Sequence, residues 1–208
     1  MILIGQYDSP FVRRVGIALR LYEMPFEHRP WSTFGDAERL AELNPLRRVP
    51  TLILDDGAVL IESASMLDYL DETAGPEKAL IAENGRARRD ALKVCALATG
   101  LADKAVSLLY ERIFRQHDSK VWVERCNAQV AGALRVLEND RAARPAPFWF
   151  GDALNHADIA VACVIRFTRE AHPGIFSEER WPALAIHSAR CEDMPVFREI
   201  VQPLIPPS

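Results

Sequence analysis

The chain has 208 residues, 49% hydrophobic and 26% charged, with a net charge of −4. That balance suits a folded globular protein with a real core, as one large domain or two small ones, and excludes a mainly disordered chain. No run of about 18 apolar residues suits a membrane span, and the mild acidity argues against nucleic acid as a routine partner.

The apolar start, Met1 to Gly5, lacks the basic residues of a signal peptide and reaches Asp8 at once, so a cytoplasmic protein is expected. Cys95, Cys126, Cys163 and Cys191 lie far apart with no CxxC pair, and no HxxxH pair occurs. Neither a metal site, nor a dithiol centre, nor disulfides are therefore expected. Charge is uneven along the chain. Residues 1–76 hold 7 Arg against 12 Asp or Glu, whereas residues 77–208 hold 18 basic and 17 acidic side chains. The split implies two parts with different surfaces.

The first part reads as alternating strands and helices. Ile2–Ile4 is a short apolar run suited to a buried strand. Ser9-Pro10 opens a helix, because Ser is a good N-cap and Pro fits the first helical position. Val12, Val15, Ala18, Leu19 and Tyr22 then recur at helical spacing as far as Glu23, before Pro25. Phe26–Arg29 alternates like a second strand. Asp36–Leu43 is a short helix stopped by Asn44-Pro45. Thr51–Leu54 and Ala58–Ile61 are joined by Asp55-Asp56-Gly57, a hairpin signal. Ser65–Thr73 is a last helix, ended by Gly75-Pro76.

Pro76–Asn84 reads as a linker, and the remainder of the chain reads as helical. Arg86 to about Phe114 is long, with Leu92, Val94, Cys95, Leu97, Leu101 and Val106 covering more than one face. Lys120–Glu138 is a second helix, and Arg141–Pro147 a loop. Asn155-x-x-Asp158 is a capping box before Ile159–Ile165, a run apolar on all sides whose helix should lie buried. Pro182–Cys191 and Val196–Val201 complete the set.

Three constellations carry chemistry. Ser9 caps a helix just after the first strand, at the sheet edge where open α/β folds take ligands; alone, a plain cap is the simpler reading. Val49-Pro50 stands before a strand. It reads either as a cis proline that leaves the Val49 N–H and C=O free for an extended ligand, or as a trans proline opening an edge strand. Glu62-Ser63 precedes the last helix of the first part. Its N–H groups attract a carboxylate while Glu62 offers an acceptor to an ammonium group. One zwitterionic amino-acid head would satisfy both, although a cap again explains the pair alone.

Together these features are specific. The order βαβαββα, with Ser-Pro at the first helix, Val-Pro before the third strand, Glu-Ser before the third helix and an all-helical second half, resembles the cytosolic glutathione S-transferases. The likeness is strongest to bacterial serine-type members whose first helix begins Ser-Pro-Phe-Val-Arg. It implies a thioredoxin-like glutathione-binding domain over residues 1–76, a linker over 77–85, and a helical domain over 86–208 carrying much of the second-substrate pocket.

Carried over, Ser9 would direct its hydroxyl at the glutathione sulfur. Arg48 would meet the glycine carboxylate in place of the family's lysine, the Val49 backbone would pair with the cysteinyl part, and Glu62 and Ser63 would hold the γ-glutamyl head. Phe11, Phe34, Tyr110 and Phe114 are candidates for the second-substrate pocket, and Asp103 for a contact with a partner subunit's glutathione. A free thiol has a pKa near ~8.5, and lowering it by ~2 units takes ~2.7 kcal/mol. One hydrogen bond to a charged acceptor (~1.5–3 kcal/mol) and a helix N-terminus (~0.3–1 kcal/mol) supply that without a general base.

The expectation is a homodimeric, metal-free glutathione transferase acting on small electrophiles, with glutathione as co-substrate. Its rivals are an isomerase or dehalogenase of the same fold, and a non-catalytic relative working by protein–protein contact. The intact Ser9, Val49-Pro50 and Glu62-Ser63 set speaks against the last.

Overall fold

The structure is a computed structural model and describes residues 1–115 and 119–206. The elements run β1 (Ile2–Ile4), α1 (Pro10–Leu21), β2 (Glu27–Arg29), α2 (Ala37–Leu43), β3 (Thr51–Ile53), β4 (Val59–Ile61), α3 (Ser63–Ala74), α4 (Gly85–Phe114), α5 (Lys120–Ala142), α6 (His156–Ala171), α7 (Pro182–Glu192) and α8 (Pro195–Glu199). Contacts divide the chain into two units, Met1–Glu83 together with the segment from Pro195 onward, and Asn84–Met194.

In the first unit the strands form one sheet in the order β2-β1-β3-β4. β1 pairs in parallel with β2 through the α1 crossover, and antiparallel with β3, placing Leu3 opposite Leu52. β3 and β4 close the predicted hairpin. This is the thioredoxin-like arrangement that the resemblance implied, and the second unit is all-helical. The sheet packs on α1 and α3 through Leu3, Val12, Val15, Leu19, Leu52, Met66 and Leu70, all fully buried. Each such side chain contributes about 1.5–3 kcal/mol when removed from water.

α1 ends at Leu21, two residues before the predicted Glu23, and Glu23 itself turns into the left-handed region (φ 57°). α3 starts at Ser63, two residues before the predicted Ser65, so Ser63 supplies its first helical N–H. The sequence pattern places residues 195–208 with the helical half, yet α8 packs on α1. Buried Arg13 donates through Nε to the Ile200 carbonyl (2.8 Å) and through an Nη to that of Phe197 (2.9 Å). An arginine inside a helix buried nearly all round needs such acceptors, and the end of α8 offers orphan carbonyls.

In the second unit α6 is buried almost throughout, as its uniformly apolar run predicts. Its capping box is present. The Asp158 carboxylate accepts from the Asn155 N–H (2.9 Å) and from the Trp149 N–H (2.7 Å). Burial raises the Asp158 pKa to about 6 and lowers that of His187, 3.6 Å away, to about 4. At neutral pH the pair is therefore a carboxylate beside a neutral imidazole. α7 has no cap of its own; Glu138 of α5 accepts from the Ala183 and Leu184 N–H groups, both at 2.9 Å.

One residue fixes how closely β1, α1 and the loop before β3 meet. Gly5 has φ +128°, and a Cβ built on it would lie 2.5 Å from Val12 Cγ2 and 2.8 Å from Val49 Cβ. Both the backbone conformation and the space therefore require glycine. Gly5→Ala is expected to lower stability by roughly 2–4 kcal/mol, from strain and overpacking together. Urea unfolding reads this, and an unchanged midpoint would mean that the contact yields freely.

Candidate functional site

The loop from Asn44 to Thr51 is built around one buried side chain. Asn44, at the end of α2, donates through Nδ2 to the Arg48 carbonyl (2.9 Å) and to Thr51 Oγ1 (3.2 Å), and its Oδ1 accepts from the Leu46 N–H (3.0 Å). Thr51 Oγ1 donates back to the Arg48 carbonyl (3.2 Å). Arg47 takes a left-handed conformation (φ 50°) to close the turn, and the Val49–Pro50 bond is cis. Of the two readings of Pro50, the cis one is present. The Asn44 side chain thus replaces the backbone ladder that the turn cannot make.

This loop faces the start of α3. Arg48, Val49, Glu62 and Ser63 line one cleft open to solvent, together with Phe11, Asn44 and Pro50. Five of the predicted site residues are therefore brought together within the first unit. Across the cleft an Arg48 Nη lies 3.4 Å from Glu62 Oε1, both side chains about half exposed. Glu62 itself has φ 65° and gives α3 no side-chain cap, so the plain-cap reading of this residue fails. A non-glycine residue held in that region stores strain, a feature that concentrates at ligand sites. Ser63 is buried, and its Oγ accepts from Nε of buried Arg14 (3.1 Å). Because arginine only donates, the Ser63 proton is left to another acceptor.

Ser9 does not line this cleft but caps α1, its Oγ accepting from the Val12 N–H at 3.4 Å. Phe11, two residues on, is the α1 residue in the cleft lining. Tyr7, the other hydroxyl near this helix, is committed elsewhere. Its ring stacks on His28 with centroids 3.8 Å apart and packs beside Gly16. Burial pushes its pKa up to about 12, and the charges it feels are those of Arg20 and Glu199. Those two form their own ion pair at 2.8 Å.

The remaining candidates are dispersed. Phe34 is exposed in the turn after β2. Tyr110 and Phe114 lie one turn apart on α4, in the other unit, with ring centroids 5.9 Å apart. Asp103 of α4 forms an ion pair with Lys104 at 2.7 Å. Among the described residues no His, Cys, Asp and Glu cluster could hold a metal, and no helix is long and apolar enough to cross a membrane.

Sequence reasoning missed the structural roles of Asn44 and Arg14. Asn44 carried a signal, since an Asn before Pro at a helix end commonly bonds the backbone two residues on. Arg14 carried only a faint one, a charge beside the apolar stripe of α1.

A cis-proline loop facing a helix start on a β2-β1-β3-β4 sheet, in a chain whose second unit is all-helical, defines a thioredoxin-like protein with an open cleft between that loop and that helix. The comparisons with known proteins agree. The family model described as glutathione S-transferase, N-terminal domain, matches residues 3–78, and that for the C-terminal domain matches residues 120–190. The chain belongs to the glutathione S-transferase family. It is 28% identical over 180 residues to the GST-like protein YibF of Escherichia coli, covering 84% of this chain and 86% of that one. A glutathione S-transferase structure from Methylobacterium radiotolerans, in complex with glutathione sulfonate, superposes with a TM-score of 0.92. It is 27% identical, over 100% of this chain and 97% of that one. One from Methylobacillus flagellatus with glutathione bound gives 0.89 at 26% identity, over 98% and 99%.

Proposed function

We propose that this chain is a glutathione transferase that activates the glutathione thiol for attack on small electrophiles. The observation that carries the reading is the single cleft joining Arg48 and Val49 of the cis-proline loop to Glu62 and Ser63 of α3. The glutathione-bound relatives support it.

In this reading the γ-glutamyl head lies at the start of α3. Its ammonium group meets Glu62, and its carboxylate meets the Ser63 hydroxyl and the first N–H groups of the helix. The Val49 N–H and C=O pair with the cysteinyl part as a strand would. Arg48 releases Glu62 and turns to the glycine carboxylate. An exposed ion pair is weak, so exchanging one partner for the opposite charges of the ligand costs little. The sulfur then sits at the N-terminus of α1, where the Ser9 hydroxyl donates to the thiolate and the helix dipole favours negative charge. Phe11 would border the electrophile, with Phe34 as a further candidate for that pocket.

Isomerisation with glutathione as co-substrate is the second reading. It is favoured by 24% identity, over 95% of this chain and 86% of that one, to the Drosophila melanogaster protein named "Probable maleylacetoacetate isomerase 2". The same thiolate serves both reactions. We also propose a homodimer. Leu92 of α4 is exposed and Cys95, Leu97 and Val106 are only partly covered, so the helix carries more apolar surface than its own unit buries. Light scattering should give about twice 23.4 kDa; a monomer mass at micromolar concentration would contradict this.

The thiol assignment is tested by titrating the thiolate absorbance of the bound glutathione. Ser9→Ala is expected to raise the pKa of the bound thiol and to lower turnover of a chromogenic electrophile tenfold or more. Tyr7→Phe should change neither. A shift in Tyr7→Phe without one in Ser9→Ala would move the chain to a tyrosine-type mechanism.

A further inference from the structure

The start of α3 is open. Its first bond runs from the Met66 N–H to the Glu62 carbonyl (3.1 Å), so the N–H groups of Ser63, Ala64 and Ser65 precede the ladder, and Glu62 gives them no side-chain cap. At this end of the helix one hydroxyl is nearly closed off from water. Ser63 is 3% exposed and lines the cleft. Its Oγ accepts from Nε of Arg14, which reaches it from α1 at 3.1 Å and is itself 3% exposed.

The direction of that bond has a consequence. An arginine Nε carries one hydrogen and accepts none, so the Ser63 proton cannot be turned toward Arg14. Among the described residues no other group bonds Ser63 Oγ. A buried donor left unmatched is costly, and a ligand that brings an acceptor relieves it. The hydroxyl and the three leading N–H groups of α3 all offer hydrogens. A carboxylate accepts from such a set through charge-assisted bonds, whereas a carboxamide accepts only through its neutral oxygen and sets its own N–H hydrogens against donors.

We propose that Arg14 is a positioning residue that makes this end of the cleft selective for a free carboxylate: by occupying the Ser63 oxygen from behind, it commits the Ser63 proton to the ligand. The ligand class is then a γ-linked glutamyl peptide whose α-carboxylate is free. The proposal rests on the reading that the γ-glutamyl head lies at the start of α3.

The probes are glutathione and its analogue with a carboxamide in place of the γ-glutamyl α-carboxylate. Calorimetry gives the ratio of their affinities in wild type, Arg14→Gln, Arg14→Lys, Ser63→Ala and Arg14→Gln with Ser63→Ala. Loosened packing would weaken both ligands alike and leave the ratio unmoved. Glutamine sets an amide atom where Nε stands but accepts as well as donates, so Ser63 can turn its proton inward; lysine only donates. Ser63→Ala should lower the preference for the carboxylate by about fivefold to tenfold, the difference between losing a charge-assisted and a neutral hydrogen bond. Arg14→Gln should lower it comparably, and Arg14→Lys should stay within about twofold of wild type. In the Ser63→Ala background Arg14→Gln should lower it no further. An unchanged ratio in Arg14→Gln, an equal fall in Arg14→Lys, or a fall that persists without the Ser63 hydroxyl would overturn the proposal. Should Arg14→Gln fail to fold, Ser63→Ala carries the test, since an unchanged ratio there leaves Arg14 nothing to position. If the wild type binds neither ligand, the proposed function falls and this inference with it. If it binds glutathione and Arg14→Gln keeps the full ratio, only this inference falls.

Discussion

The site depends on one close approach. Gly5 ends β1 where a side chain would strike both Val12 of α1 and Val49 of the cis-proline loop. Because nothing stands between them, the loop that presents the Val49 backbone and the helix that presents Ser9 share one sheet edge. Gly5 also uses its own backbone there, its N–H donating to the Arg29 carbonyl and its carbonyl accepting from His28. Parallel pairing of β1 with β2 is thereby carried up to the residue at which the chain turns toward the helix.

Around that junction the cleft is held by buried polar side chains, and the charged groups at its mouth stay loosely paired. Asn44 satisfies the backbone of the 44–51 loop, Arg14 holds the Ser63 oxygen, and Arg13 ties α1 to α8. The two arginine bonds are buried and the Asn44 bond is partly so; leaving a buried partner unmatched costs about 1–3 kcal/mol, so the scaffold resists distortion. Arg48 and Glu62, in contrast, meet at 3.4 Å with about half of each side chain in water. A rigid frame with exchangeable charges at its mouth suits a small zwitterionic peptide, whose own charges can replace that pair.

Much of this was legible in the sequence, for reasons that differ by residue. The strands, α1 and the hairpin turn follow from short apolar runs and from Ser9-Pro10 and Asp56-Gly57, signals that act locally. That Val49-Pro50 and Glu62-Ser63 belong together came from the family resemblance, because alone each read equally as an edge-strand proline or a helix cap. The fate of the C-terminal segment was not legible. Its attachment to α1 rests on Arg13, Gly16 and Gln202, which meet Phe197, Ile200 and Tyr7 across more than 180 positions of chain, and no local pattern announces such contacts. The early start of α3 escaped for the opposite reason: Glu62 sits in a strained conformation that propensity disfavours, and sites commonly override propensity in this way.

The proposed function requires the cleft of the first unit to take glutathione through the charges at its mouth. Calorimetric titration with glutathione, run in parallel on the wild type and on Glu62→Gln, tests it most directly. One molecule should bind per chain, with affinity lower by ~10–150-fold in the folded variant, the range expected for losing one charge-assisted hydrogen bond. No heat from the wild type at millimolar glutathione, or equal affinity in both proteins, would contradict it.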